Sequence, residues 1–596
     1  DVDIDIQEDR REEVLDIARN KYGEECVASL GTFGTVGAKA ALKDSVRVHG
    51  LSFSDGVERT RHLPPPKFGR SPTLAEYSGL RDDIYDLAVE LEGTVRSESV
   101  HAAAVVISPE PLKDIIPLRR AGGKGNWITG YDMHEIEALG LLKIDFLGLR
   151  TLKVIDDCQR MLETGRSGLR CILPSNPEEC TDAETFRLLS SGNTLGVFQL
   201  DSPGMRRLLQ SVAPESFRDI TAVLSLYRPG PMGAGAERSY AARKNNRERI
   251  DFPHPELEKG LASILDKTYG LIVYQEQVLE ILAVVGGYTY GSAELIFNAM
   301  RKKQHDKMEA AKPDFIARMK MRGYSDAAIE ALWETLVPFA DYSFNLSHAT
   351  GYALIAYWTA YLKTHYPVEY MCALLSNEPD PDKSAEYLHE CERMGIEVLP
   401  PDINESDQGF TATASGIRYG LSKIKGVGVK AVNSIIGKRP FHNLADYFGR
   451  VPAVGLNLGT FTALAKAGAF DGMCNREGLI EVAEKYVEKA SSARKAARSG
   501  QRGVVKVRYP VKNKSINLKK RQEWEKETLG VELSIGSVVL CPNEPLTTPA
   551  FEWLRRVVQS YPGRYPLKID FGMGIPHYTL PYKIDLNSAR RALESL

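Results

Sequence analysis

The chain has 596 residues, 43% of them apolar, so it is expected to be globular and multidomain, since a single core rarely grows beyond roughly 250 to 300 residues. Lysine plus arginine (76) nearly balances aspartate plus glutamate (78), which excludes a wholesale polyanion binder and requires any nucleic-acid surface to be local. No apolar run reaches the length of a membrane span, the opening does not resemble a signal peptide, and the eight cysteines are scattered without CxxC spacing, a pattern of reduced cytoplasmic thiols rather than disulfides or a zinc site.

The chain begins "DVDIDI". In a strand, side chains at i, i+2 and i+4 share a face, so Asp1, Asp3 and Asp5 are expected to line up about 7 Å apart while Val2, Ile4 and Ile6 turn into a core. "RREEVLDIARNKYG" follows, with Val14, Leu15 and Ala18 at helical spacing and a stop at Gly23. "LPPPKFGRSPTL" reads as a rigid surface excursion, making residues 33–99 a candidate inserted subdomain. "GLLKIDFLGL" reads as a buried strand, with Leu142, Ile144 and Phe146 packed and Lys143 beside Asp145 on the other face. From Thr151 to about Glu397 amphipathic helical patterns dominate, as in the stripe Val278, Ile281, Leu282 and Val285. "LPPDINESDQG" punctuates the chain, and a small helical module runs to about residue 489. Between Ala490 and Gln522 there are eleven Lys or Arg and no acid, the composition of a flexible basic linker. The last seventy or so residues read as a short α/β piece. No repeat of solenoid length is present.

Hard cations such as Mg²⁺ take oxygen ligands, and two ions held by a few carboxylates can activate a hydroxyl and stabilise a leaving oxygen in phosphoryl transfer. Aspartates at alternate positions are compatible with such a site and equally with an exposed strand edge decorated with acids.

"DVDIDI", "TFGTVGAKAALKD", "VHAAAVVIS", "LLKIDFLGLRTL", "GVFQLDSPGM", "LYRPGPM", "TYGLIVYQEQV", "FNLSHATGYALIAYWTAYLKTHYP" and "IKGVGVKAV" occur in that order from Asp1 to about Asp471. Together they resemble the alpha subunit family of bacterial DNA polymerase III, the C family of polymerases, in a divergent form. The resemblance implies a multidomain α/β chain: a nucleotidyltransferase palm of the polymerase beta type, a mostly helical thumb and fingers, and a tandem helix-hairpin-helix module. The expected domains are palm at 1–32 and 100–150, thumb at 33–99, fingers at 151–397, helix-hairpin-helix at 398–489, basic linker at 490–525 and a C-terminal α/β remnant at 526–596.

Matched residue by residue, the family's metal-binding aspartates fall on Asp1, Asp3 and Asp145, implying two Mg²⁺ ions; Asp5 is expected to support the site rather than ligate. Lys143 has two readings, a phosphate-neutralising catalytic cation or a salt bridge to the aspartates. His101 is read as structural. The resemblance puts the incoming dNTP against Lys302, Lys303, Asn345 and His348, with Arg301, in place of the family's usual Gly, as an added cation. DNA contacts are expected from Lys425, Gly426, Gly428 and Lys430, where a GxG hairpin precedes a helix whose first N–H groups would meet phosphate. Lys39, Lys43 and Arg47 share a helical face in the thumb and could follow duplex backbone or simply be solvated.

Departures from the family matter as well. Paired arginines before "AMGKK" in the family are Phe297 and Asn298 in "LIFNAMRKK", and the lysine of "YGFNKSHA" is Leu346 in "YSFNLSHA". Each loss removes a charge-assisted phosphate contact. The chain opens without Met on residues of catalytic type, so the family's PHP domain and a Gly-Ser phosphate cradle are expected to precede it, in cis or trans, and without them the fragment is expected to bind dNTP poorly. The OB-fold is expected to be missing, and with it a single-strand platform. For a sliding clamp there is only the degenerate "QRGVV" from Gln501, with other replisome subunits as further candidate partners. Two functions follow: a cytoplasmic template-directed DNA polymerase of a bacterial or phage-infected cell, taking primer-template DNA and dNTPs, or a catalytically impaired, polymerase-derived DNA-binding scaffold.

Overall fold

The structure is a computed structural model that describes residues 2–63, 73–76, 82–120, 125–164, 168, 170–301, 304–498, 515 and 517–534, and beyond them the strands at 538–540, 562–569 and 578–584. The fold is mixed, helical with small sheets, in two compact units: Asp1–Lys153 with Thr221–Ile355, and Val154–Ile220 with Ala356–Leu596. Among the described residues no helix is long and apolar enough to cross a membrane.

The first unit opens with strand β1 (Val2–Gln7), helix α1 (Arg11–Tyr22), strand β2 (Val27–Thr35), three helices α2 (Ala38–Val48), α3 (Phe53–Arg61) and α4 (Asp83–Leu91), strands β3 (Val95–Ile107), β4 (Leu118–Arg120) and β5 (Trp127–Thr129), helix α5 (Met133–Ala138) and strand β6 (Leu142–Leu149). The six strands form one sheet in the order β1-β6-β3-β2-β5-β4. β1 runs parallel to β6, and β3 is antiparallel to both of its neighbours. Residues alternate between the two faces of such strands. One face packs Val27, Val105 and Phe146 against Leu15 of α1, and the other packs Ala28, Leu30, Ala104 and Val106 against Ile136 of α5.

β1 is an edge strand, and this alters the expected burial. Ile6 packs with the α1 layer, but Val2 and Ile4 stay 43% and 39% exposed, and Leu142, expected on the packed face, is also exposed. The apolar layer around Leu15 takes in Ile6, Ile144 and Phe146, leaving the opening residues of β1 and β6 outside it.

A pronounced bulge interrupts β3. Ser29 pairs with Val105 while Gly31 already pairs with Val100, so residues 101–104 stand opposite Leu30 alone. The His101 Nδ1 accepts from the Ala103 and Ala104 N–H groups at 3.2 and 2.8 Å, which gives that histidine a structural task. Arg11 braces the same region, donating to the Ala103 and Phe146 carbonyls. Bulges re-aim the residues beside them, and Ala104, at the end of this one, is the register partner of Asp145.

Between β2 and β3, the helices α2, α3 and α4 enclose a core of their own, including Ala41, Leu42, Leu74, Tyr85 and Ala88. Backbone hydrogen bonds from Val36 to Thr94 and from Gly93 to Val36 close its base. Most of "LPPPKFGRSPTL" lies outside the described residues. The rest of the first unit is helical, around a core that includes Leu261, Val278, Ile281, Leu282, Phe297, Phe315 and Trp333.

In the second unit, helices Val429–Ile436, Leu444–Arg450, Leu458–Ala467 and Arg476–Arg498 gather an aromatic cluster in which Phe448 stacks on Tyr486 at 5.1 Å and Tyr447 meets Phe470 edge-on. The stretch expected to be a flexible basic linker is helical at both ends, to Arg498 and again over Leu518–Leu529; residues 499–514 lie outside the described part. Buried ion pairs hold the second of these helices. Arg476 bonds Glu525 at 2.8 Å and Arg521 bonds Glu477 at 2.7 Å, and the Arg521 guanidinium holds the Glu477 carboxyl down to about 2. The acid partners, Glu477 and Glu525, sit outside the acid-free window, so composition within it suggested solvation instead. At the end of the chain three strands form a small sheet with Pro562–Ile569 in the middle.

Candidate active site and nucleic-acid interface

Asp3 and Asp145 are register partners on the parallel strands β1 and β6, so the two carboxylates leave the sheet on one face as neighbours. The Lys143 ammonium bonds Asp145 Oδ2 at 2.8 Å, with both side chains largely buried, 14% and 17% exposed. The other oxygen, Asp145 Oδ1, is buried without a hydrogen-bond partner. An unsatisfied buried carboxylate oxygen is costly unless something cationic reaches it. A neighbouring carboxylate with an oxygen already freed of protein partners suits a hard divalent cation. Asp1 lies outside the described residues, and among those described no group of three or more His, Cys, Asp or Glu forms a metal cluster. Of the two roles read for Lys143, the salt bridge is the contact observed.

Asp5, two residues on, has a different environment. It is half-buried and its strand neighbour on β6 is Leu147. Burial pushes its carboxyl above the usual range, an effect that His348 opposes, Asp3 adds to and Tyr352 opposes. Tyr352 is itself pushed up to about 12, first by burial and then by Asp5 and Asp3. Nothing in the sequence patterns singled out Tyr352. Its signal was the spacing i, i+4 from His348, which puts both residues on one face of the helix Leu346–His365.

His348 is held on both sides, 4.4 Å between ring centroids from Tyr352 and 5.5 Å edge-on from Phe344. Beyond Phe344 lies Arg228, whose guanidinium is 4.1 Å from the ring centroid and donates to the Ser225 and Tyr342 carbonyls. Backbone bonds from Phe344 to Val273 and from Gln275 to Phe344 lace this segment to the neighbouring loop. The Leu346 N–H donates to the Glu276 carboxylate. Asn345 caps the helix, its side-chain oxygen accepting from the His348 N–H at 2.8 Å and from the Ser347 hydroxyl. Asn345 was expected to meet dNTP, and its side-chain oxygen is committed to the cap.

Of the other dNTP candidates, only Arg301 falls among the described residues. Lys302 and Lys303 are outside the described residues. Arg301 is exposed at the end of Tyr290–Arg301 and reaches the Asn298 side-chain oxygen at 3.4 Å. Phe297 is buried, 5% exposed within the helical core.

Two surfaces carry the residues expected to meet DNA. On α2, Lys39 is exposed, Lys43 lies 5.6 Å from the Phe53 ring centroid, and Arg47 pairs with Asp44, which also holds Arg96. In the second unit Lys425, Gly426, Gly428 and Lys430 are all exposed around the start of helix Val429–Ile436. The two glycines differ. Gly426 has φ +91°, a conformation that suits only glycine comfortably. Gly428 caps the helix with φ −82°, and a Cβ there would meet nothing within 4 Å. Its missing side chain therefore leaves open space beside the first helical N–H groups, which have no partner within the helix. The clamp candidate at Gln501 lies outside the described residues.

Family models match in the same order as these features. Residues 1–148 match the bacterial DNA polymerase III alpha NTPase domain, residues 151–323 the bacterial DNA polymerase III alpha subunit finger domain, and residues 395–479 the helix-hairpin-helix motif. The class is thus that of bacterial polymerase subunits. Over 531 residues the chain is 44% identical to the DNA polymerase III subunit alpha of Mycobacterium tuberculosis, covering 84% of this chain and 44% of that protein. The subunit alpha of Thermus aquaticus is 39% identical over 587 residues, 95% of this chain and 48% of the relative, and that of Bacillus subtilis 39% over 557 residues, 90% and 49%. The chain belongs to the family of bacterial DNA polymerase III alpha subunits, and it spans about half the length of the curated relatives it matches.

Proposed function

We propose that this chain carries the polymerase portion of a template-directed DNA polymerase, which extends a primer 3′-hydroxyl with dNTPs during DNA replication in the cytoplasm. The observation that carries this reading is the Asp3 and Asp145 pair with the unsatisfied Asp145 Oδ1. In this reading residues 1–32 and 100–150 are the palm, 33–99 the thumb and 151–397 the fingers, with the helix-hairpin-helix at 398–489 gripping duplex backbone and 526–596 as the C-terminal remnant. Asp3 and Asp145, joined by Asp1, would hold two Mg²⁺ ions. Such ions assist deprotonation of an attacking hydroxyl and offset charge on a triphosphate and its leaving group.

The chain's own residues prepare that chemistry. Lys143 holds one oxygen of Asp145 and leaves the other, buried, without a hydrogen-bond partner. The helix beginning at Leu346 presents His348 beside the aspartate strand, where its ring would border the incoming nucleotide. Arg301, with Lys302 and Lys303, would meet the triphosphate. The relatives bear the name of a polymerase subunit, and the retained acids support turnover over the scaffold alternative. Partners of this reading are primer-template DNA, dNTPs, the family's upstream segment in cis or trans, and a clamp.

The test offers the protein, supplied with the family's upstream segment in cis or trans, a primer-template and one dNTP at a time. Only the dNTP complementary to the template base is expected to be added, and only with a divalent cation present. Incorporation of none, with duplex binding retained, would leave a DNA-binding scaffold.

A further inference from the structure

The helix-hairpin-helix match ends at residue 479, yet the later helix Leu518–Leu529 ends against the hairpin itself. The last carbonyls of a helix have no partner within it, and two of these meet the approach to the turn. The Thr528 carbonyl accepts from the Lys425 N–H at 2.9 Å, and the Leu529 carbonyl accepts from the Tyr419 hydroxyl at 2.9 Å. Lys425 immediately precedes Gly426, where the backbone is left-handed, so a fixed Lys425 N–H limits the course of the turn that leads to Gly428. Further back the helix is pinned by Glu525, which is 1% exposed. Its carboxylate accepts from Arg476 Nη1 at 2.8 Å, from the Leu533 and Ser534 N–H groups at 2.8 and 2.6 Å, and from the Ser534 hydroxyl. Arg476 also pairs with Asp471 and donates to the Lys466 carbonyl at the end of helix Leu458–Ala467. Thr460 of that helix in turn donates to the Gly426 carbonyl at 3.4 Å. The turn is held from two helices, and Arg476 with Glu525 joins the two. Tyr419, Glu525 and Thr528 are all buried, so none of them is placed to touch DNA.

We propose that the helix Leu518–Leu529 is a positioning element of the DNA grip. The Glu525 and Arg476 pin fixes the helix, and the end of the helix holds the turn from Lys425 to Gly428 so that the N–H groups starting Val429–Ile436 meet duplex phosphate. This rests on the reading above that the hairpin grips duplex backbone. It extends the DNA-binding module beyond the motif, to Ser534. A buried carboxylate with a full set of donors is sensitive even to a change that preserves its size. An amide offers one acceptor oxygen and turns its own donor toward the N–H groups it faces. Loosening the pin loosens the turn, and the phosphate contact is lost without any change to the groups that make it.

The experiment measures binding of the full 596-residue chain to several unrelated duplexes, with hydrogen exchange followed over residues 421–428. Glu525→Gln should lower duplex affinity roughly tenfold, the scale of a hydrogen bond to a charged group, and equally for every duplex. Exchange over 421–428 should quicken while protection across Val429–Ile436 stays parental. Tyr419→Phe removes a single hydroxyl at the helix end and should lower affinity about threefold at an unchanged unfolding temperature, which keeps the test decisive even where Glu525→Gln unfolds the module. Either variant joined to Gly428→Ala should bind no worse than the weaker-binding of the two single variants, because both act on one phosphate contact. The proposal is overturned if Tyr419→Phe binds duplex as the parent does, or if its effect multiplies with that of Gly428→Ala. It is equally overturned if affinity falls with no change in exchange over 421–428. A parent that binds no duplex defeats the reading of the hairpin as a DNA grip, whereas a binding parent with an unaffected Tyr419→Phe defeats only this inference.

Discussion

At Phe297 two kinds of reasoning from one sequence diverge. Ala293, Ile296, Phe297 and Met300 fall at i, i+3, i+4 and i+7, the spacing of a core-facing stripe, and all four are buried. Comparison with the family pattern directed attention instead to the arginine that usually stands there, and suggested that a cation had been lost from a nucleotide-facing surface. In this chain position 297 faces the core. Asn298, half-buried and bonded to Arg301, is the position from which a new cation could reach outward. Phe297→Arg should therefore destabilise the protein by at least about 3 kcal/mol, the lower range for emptying a buried aromatic site, with the charge adding to that cost. Asn298→Arg should change stability by no more than about 0.5 kcal/mol and lower the dNTP KM by roughly three- to tenfold. Thermal unfolding and a dNTP titration of the two single variants separate the effects. A stable Phe297→Arg variant would contradict the packing described. That the strand aspartates share a face was legible from their alternate spacing, whereas their pairing with Asp145 came from the family resemblance. Tyr352 was not legible, since its influence on Asp5 joins residues more than three hundred positions apart.

Elements were legible where periodicity was strong and misread where a partner lay outside the window. The helix-hairpin-helix is the clear case of the first. "IKGVGVKAV" gave the turn, the helix start and the flanking lysines. Only the structure distinguishes the two glycines. Gly426 has a left-handed backbone that favours glycine, whereas a Cβ at Gly428 would meet nothing within 4 Å beside the helix start. Gly428→Ala should leave the fold unchanged and lower duplex affinity by about threefold to tenfold at every sequence alike, because phosphate contacts carry no base information. Gly426→Ala should destabilise the module by on the order of 1 to 2 kcal/mol through the left-handed backbone. Binding of several unrelated duplexes, set beside thermal unfolding, distinguishes a close-approach glycine from a conformational one. Sequence-selective loss in Gly428→Ala would contradict a phosphate contact. The basic stretch is the second case: Glu477 and Glu525, which fix the helix Leu518–Leu529, fall outside the acid-free run that suggested a linker.

For the whole molecule, the order of motifs along the chain gave the family, and the family models recover the same order. Three-dimensional grouping was not legible from that order, because Thr221–Ile355 packs with Asp1–Lys153 while the residues between them join the later part of the chain. That grouping is what brings His348 and Tyr352 to the aspartate strand. The central claim is that Asp3 and Asp145 form the metal-dependent centre of a DNA polymerase. It is tested most directly by Mg²⁺-dependent primer extension with Asp145→Asn in the protein supplied with the family's upstream segment, alongside duplex binding. Asparagine preserves size and leaves an oxygen for Lys143, but removes the charge that a divalent cation requires. The account predicts extension lowered by at least about a thousandfold, a loss of roughly 4 kcal/mol of transition-state stabilisation, with duplex binding and unfolding temperature unchanged. Extension at the parental rate by Asp145→Asn would contradict it.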